Sequence, residues 1–252
     1  MRILLINPNT SAEITDLVVE HAAKVAPHVE IVPVTGRFGA RYISSRAAAA
    51  IAGHAALEIL AEHAAGCDAV YLACFGDPGL FALQEISPIP VVGMAEASCR
   101  HAAANQGRFS IVTSGACWGP MLREFVATLG LADRLASVRT ITSTGGAIAR
   151  DRQGHLEILT RECRASADED GANAVVLGGA GLAGLARPIA PRLPIPVICS
   201  VEAGMRAALA AASGRDPGLG KPAPMIGVPS VGLSSGLARL LAGSGAISPE
   251  RM

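Results

Sequence analysis

The chain contains one pattern twice. Gly66-Cys-Asp-Ala-Val-Tyr-Leu-Ala-Cys74 lines up with Gly171-Ala-Asn-Ala-Val-Val-Leu-Gly-Gly179, and the flanks repeat at the same offset to within a residue. Met1-Arg-Ile-Leu-Leu-Ile-Asn7 matches Gly107-Arg-Phe-Ser-Ile-Val-Thr113, and Pro88-Ile-Pro-Val-Val with Glu96 matches Pro194-Ile-Pro-Val-Ile with Glu202. Three matched segments in one order imply two homologous halves related by a pseudo-two-fold axis. Apolar runs alternate with helix patterns in each half. The expected fold is therefore α/β, with two pseudo-symmetric lobes, parallel sheets and a cleft between them. Residues 1–106 form the first lobe and 107–229 the second, and a C-terminal helix at about 230–243 is expected to pack back on the first.

Within the repeat, Val70 to Ala73 read as a buried strand, with Asp77 as N-cap and Pro78 as the first residue of the next helix. Cys74 then sits at the carboxyl end of a strand, where ligands bind in open parallel sheets, and beside a helix N-terminus that favours thiolate. Alone, a cysteine after a strand reads as a small core residue. The repeat makes it a site candidate, because Cys74 and its counterpart Gly179 face each other across one cleft.

Composition narrows the ligand. The net formal charge is zero and aromatic residues make up 3%, which argues against a nucleic-acid partner. A small neutral or singly charged molecule is the expected partner. No apolar run approaches a membrane span and the N-terminus enters a strand directly, so a cytoplasmic protein with no membrane association is expected. The six cysteines include no C-x-x-C pair and no histidine at ligand spacing, so no metal is expected. Lys24 and Lys221 are the only lysines, and neither falls at a strand end where pyridoxal phosphate would be held.

The first strand, Arg2 to Ile6, ends in Asn7-Pro-Asn-Thr-Ser11. Thr10 and Glu13 have capping-box spacing, so a helix is expected from Ser11 to about Val25. Capping needs one of these polar residues. The presence of Asn7, Asn9 and Ser11 together leaves anion or carbonyl binding equally open. Thr35 to Ile43 is a loop long enough to cover a site, with Arg37 and Arg41 as possible anion contacts or solvated residues. In the second half the strand Phe109 to Val112 ends in Thr113, the counterpart of Asn7. Cys117 and Trp118 read as packing residues, and Ser213 to Pro229 as a Gly/Pro-rich connection. Gly179-Ala-Gly-Leu-Ala-Gly184 also fits a dinucleotide-binding G-x-G-x-x-G with Glu202 about 20 residues on. Pro188, Pro191 and Pro194 leave too little helix for that crossover, and the repeat already explains the loop.

Asn7-Pro-Asn-Thr-Ser11, Ala73-Cys-Phe-Gly-Asp-Pro-Gly-Leu80, Pro90-Val-Val-Gly-Met-Ala-Glu-Ala97 and Leu177-Gly-Gly-Ala-Gly-Leu182 resemble motifs of the aspartate/glutamate racemase superfamily, in its hydantoin and allantoin racemase branch. The resemblance covers residues 1 to about 212. It implies two Rossmann-like lobes, a cofactor-independent racemase or epimerase, and two cysteines, one per lobe, that take a proton from one face of a carbon acid and return one to the other. Cys74 matches the first of these cysteines. The resemblance also implies substrate contacts from Asn9, Thr10, Ser11, Phe75, Gly76, Thr113, Gly178, Ala180 and Gly181, with N–H donors from the glycine turns stabilising an enolate. A homo-oligomer is the expected assembly.

Gly179 departs from the branch, standing where the second cysteine belongs. It is either an engineered change, or a natural loss with a one-sided reaction, or a position whose work another group such as Cys117 or a water takes over. An arylmalonate-type decarboxylase using one cysteine, and a non-catalytic small-molecule binding domain, are the alternative functions.

Overall fold

The computed structural model describes residues 1–104, 107–215, 227 and 229–242. Most of the expected 213–229 connection, with Lys221 in it, and residue 243 lie outside the described residues. The first half runs β1 (Arg2–Asn7), α1 (Ala12–Val25), β2 (Glu30–Thr35), α2 (Arg46–His63), β3 (Ala69–Leu72), α3 (Leu80–Ile86), β4 (Val91–Gly93) and α4 (Met94–Ala104). The second runs β5 (Phe109–Ser114), α5 (Trp118–Thr128), β6 (Leu135–Ile141), α6 (Gly145–Arg150), α7 (Arg152–Asp168), β7 (Ala174–Gly178), α8 (Ala186–Ile189), β8 (Val197–Cys199) and α9 (Ser200–Ala212). A last helix, α10 (Ser235–Ala242), follows.

Each half forms a four-stranded parallel sheet with the same strand order, β2-β1-β3-β4 and β6-β5-β7-β8. The continuous apolar runs of β3 and β7 are buried at every position, as strands covered on both faces must be. Strand order reverses at β1 and β3 in one sheet and at β5 and β7 in the other. Such a switch point opens a crevice at the carboxyl ends of the strands. Those ends carry Asn7 and Cys74 in the first half, and Ser114 and Gly179 in the second.

The helices that follow the edge strands cross between the halves. α4 packs on β7, while α9 packs on β3, β4 and α1, and the two helices pack on each other. Tyr71, buried in the middle of β3, donates its hydroxyl to the carbonyl of Val201 in α9 at 3.2 Å. One apolar core accordingly runs through both halves, from Ile3, Leu5 and Tyr71 to Ile111, Val176 and Met205. A second cluster, including Leu4, Leu60, Leu72 and Leu83, lies under α2, and Leu237 of α10 is buried in it.

Two local expectations are corrected. The helix after Cys74 begins at Leu80, with Gly79 rather than Asp77 before it. Asp77 is instead turned back by a left-handed φ of 46° and accepts from the N–H groups of Ala95 (2.8 Å) and Glu96 (2.7 Å) at the start of α4. The Thr10–Glu13 capping box does not form, because Asn9 Oδ1 takes the N–H of Ser11 at 2.8 Å and the Ser11 side chain makes no capping bond.

Candidate active site between the two sheets

A cavity of about 240 Å³ opens where the two switch points meet. Asn9, Ser11, Tyr42, Cys74 and Phe75 wall it from the first half, and Thr113, Ser114, Trp118, Gly179, Ala180 and Gly181 from the second. Of the residues expected from sequence, Thr10, Gly76 and Gly178 are not in the wall. Gly76 passes under the Trp118 ring, where an added Cβ would lie 2.3 Å from Cζ3, and Gly178 passes in the same way under Phe75.

The loop after β1 is held by Asn7. This fully buried side chain reaches Asn9 Oδ1 (3.0 Å), the Ser11 carbonyl (3.1 Å) and Thr15 Oγ1 (2.9 Å). With Asn9 Oδ1 engaged inward, its Nδ2 has no partner among the described residues, and neither has Ser11 Oγ. Both residues are buried and both line the cavity. A carbonyl oxygen entering here meets donors that the protein does not itself satisfy.

Cys74 is 8% exposed, at the end of β3. Burial pushes its thiol up to about 12, and the neighbouring Asp77 carboxyl adds to the effect. The direction runs against the expected thiolate, and the helix terminus invoked for it is not beside the sulfur. The helix that follows starts six residues on, and desolvation outweighs any dipole that reaches the sulfur. Asp77 is itself raised to about 8 by burial, against the two backbone N–H bonds that it accepts.

On the second side Thr113 donates to the Gly178 carbonyl at 2.7 Å, and the N–H of Gly179 donates to Ser200 Oγ at 3.1 Å. That N–H is occupied, so it is not the enolate donor expected from sequence. Gly179 has φ +136° and ψ 138°, and a Cβ there would stand 3.1 Å from Leu182 Cδ1 and 3.8 Å from Thr113 Oγ1. Glycine alone adopts that backbone without strain. Cys117 is exposed and absent from the wall, so it does not serve the Gly179 side.

Tyr42 and Trp118 were not singled out as cavity residues. Tyr42 donates to the Ser114 carbonyl (3.2 Å) and Trp118 Nε1 donates to the Ile43 carbonyl (3.0 Å), so the loop between β2 and α2 is pinned across the cleft. The available signal was scarcity, since this is the sole tryptophan and one of two tyrosines. Arg41 also lines the cavity, paired with Glu13 at 3.0 Å, whereas Arg37 pairs with Glu62. Thr144, Gly145, Gly146 and Arg150 also line the cavity, with Thr144 Oγ1 accepting the N–H of Ala147 at 3.2 Å. Among the described residues no three His, Cys, Asp or Glu side chains are grouped to hold a metal, and no helix is long and apolar enough to cross a membrane.

A family model described as Asp/Glu/Hydantoin racemase matches residues 3–208. The chain belongs to this family. Among its relatives, a hydantoin racemase of Paenarthrobacter aurescens is 37% identical over 82% of this chain and 89% of the relative, and one of Pseudomonas sp. (strain NS671) is 36% identical over 82% and 84%. The allantoin racemase structure from Klebsiella pneumoniae superposes with a TM-score of 0.79 at 32% identity, covering 94% of this chain and 93% of that one. The allantoin racemase of Pseudomonas fluorescens gives a TM-score of 0.82 at 29% identity, over 94% and 96%. These racemase relatives are isomerases. Arylmalonate decarboxylase, at 19% identity and a TM-score of 0.62, shares the fold.

Proposed function

We propose that this racemase-family protein is a cofactor-independent racemase or epimerase acting on a 5-substituted hydantoin or allantoin, with Cys74 as the acid/base on one face of the stereocentre. The position of Cys74 carries the reading. It lines a cavity at the switch point of one sheet, with Gly179 at the matching point of the other. The hydrogen on C5 of a hydantoin lies next to a carbonyl and is already acidic. Asn9 Nδ2 and Ser11 Oγ are placed to stabilise the enolate oxygen that forms as it leaves. Cys74 takes that proton in its thiolate form, becoming the thiol, and returns it from the thiol. Because burial holds the thiol up, the thiolate fraction and with it the exchange rate rise with pH. At the second face, where Gly179 replaces the branch's cysteine, no side chain receives a proton, and inversion is impaired accordingly.

A second reading is favoured by the neutrality of the Cys74 thiol. A group held as a thiol is set to give a proton, as an arylmalonate-type decarboxylase requires. There the bond to the carboxylate breaks, carbon dioxide leaves, and the carbanion takes the thiol proton, which water then replaces. Proton NMR in deuterium oxide across hydantoins, allantoin, acidic amino acids and arylmalonates separates the possibilities. Exchange at C5 of a hydantoin or allantoin supports the racemase reading. Carbon dioxide release from arylmalonates supports the second. Binding without either would leave a non-catalytic binding domain.

A further inference from the structure

Arg150 is the last residue of α6 and lies in the cavity wall, exposed at its mouth. A cation in the last turn of a helix is favoured by the dipole, which accounts for the residue type but not for its place at a cavity. Its guanidinium has no ion pair or hydrogen bond among the described residues. The nearest candidate in sequence, Asp151, is turned away to cap α7, accepting from the Gly154 N–H at 2.9 Å and lying 4.0 Å from His155. The other charges in the wall, Arg41 and Glu13, pair with each other at 3.0 Å and cancel. The Tyr42 phenol, held above its ordinary range by burial, and the Cys74 thiol are both neutral near pH 7. The wall therefore carries one uncompensated positive charge, and it belongs to Arg150.

The location of that charge is also defined. α6 packs against the turn that follows Gly179, so closely that a Cβ on Gly181 would lie 2.3 Å from the Gly145 carbonyl oxygen. Arg150 is thus mounted on the Gly179 side of the cavity, not on the Cys74 side. From this we propose that the substrate carries a carboxylate on its 5-substituent and that Arg150 pairs with it, fixing which hydantoins the site accepts. The inference rests on the hydantoin reading above. A guanidinium fork matches a carboxylate with two parallel hydrogen bonds, and a half-enclosed cavity screens the pair less than open surface does.

The test compares 5-(2-carboxyethyl)hydantoin with its neutral near-isostere 5-(2-carbamoylethyl)hydantoin, using calorimetric Kd values for the intact protein and for Arg150→Gln and Arg150→Lys. The unaltered protein should bind the carboxylate about 10- to 100-fold more tightly than the amide. Arg150→Gln should bring that ratio to about one, Arg150→Lys should retain part of it, and added salt should lower it. Arg150 is exposed, so these changes leave the core untouched, and melting temperatures check this. Equal binding of the two ligands, or a ratio unchanged in Arg150→Gln, overturns the inference. C5 deuterium exchange is measured on the same samples. Arg150-dependent discrimination without exchange would sink the racemase reading alone, and exchange without discrimination would sink this inference alone.

Discussion

The ring of Phe75 lies against the backbone of Gly178, so that a Cβ on the glycine would stand 2.3 Å from two ring carbons. These residues adjoin Cys74 and Gly179, so the two turns that face the cavity are locked to each other at this contact. Gly178→Ala should force the ring aside and cost about 1–3 kcal/mol of stability, as overpacking does. Urea unfolding measures it, and Phe75→Leu in the same background should recover part of the loss. An undisturbed midpoint for Gly178→Ala would mean that the ring is free to move.

The buried thiol sets an order of alkylation. With Cys74 held up at about 12, and Cys117 the one exposed cysteine among the described residues, iodoacetamide should label Cys117 first at pH 7. Labelling of Cys74 should rise about tenfold per pH unit as the thiolate fraction grows. Peptide mapping over pH 7 to 10 reads both rates. Fast Cys74 labelling at pH 7 would show that the thiol is ionised in the folded protein.

Asp77 makes stability depend on pH near neutrality. Its carboxyl is raised from 3.8 to about 8, so the folded state holds the proton more tightly than the unfolded chain does. The resulting stabilisation is complete below pH 3.8 and is lost as pH rises through about 8. Unfolding midpoints at pH 5 and pH 9 should therefore show the unaltered protein losing stability with rising pH. Asp77→Asn, which has no proton to lose, should show a shallower fall.

The repeat made the two parallel sheets and the strand-end positions of Cys74 and Gly179 legible, because apolar runs and strand-end residues recur in register. Several things were not legible because they depend on contacts distant in sequence. The crossing of α4 and α9 depends on Tyr71 meeting Val201, and the pinning of the covering loop on Trp118 meeting Ile43. Asp77 misled for a related reason. It is a helix cap, as its type suggested, but the helix it caps is α4 rather than the one beside it in sequence.

Gly179→Cys tests the backbone and the chemistry together. Its φ of +136° disfavours any side chain, at a cost of order 1–3 kcal/mol, and Leu182 must yield as well. Gly179→Ala should show that loss of stability with no gain in rate. Gly179→Cys should show the same loss together with faster inversion, by about 10²–10⁴ where the thiol seats on the second face. Equal inversion rates for the two variants would show that the new thiol does not reach the substrate.

The most direct test follows one enantiomer of a turned-over hydantoin in deuterium oxide, with NMR reading exchange at C5 and chiral chromatography reading inversion. With Cys74 as the acid/base on one face of the stereocentre and glycine at 179 on the other, the protein should exchange C5 hydrogen well above the uncatalysed rate while inverting the centre much more slowly. Cys74→Ala should abolish the catalysed exchange. Inversion as fast as exchange, or exchange that survives in Cys74→Ala, would contradict the account.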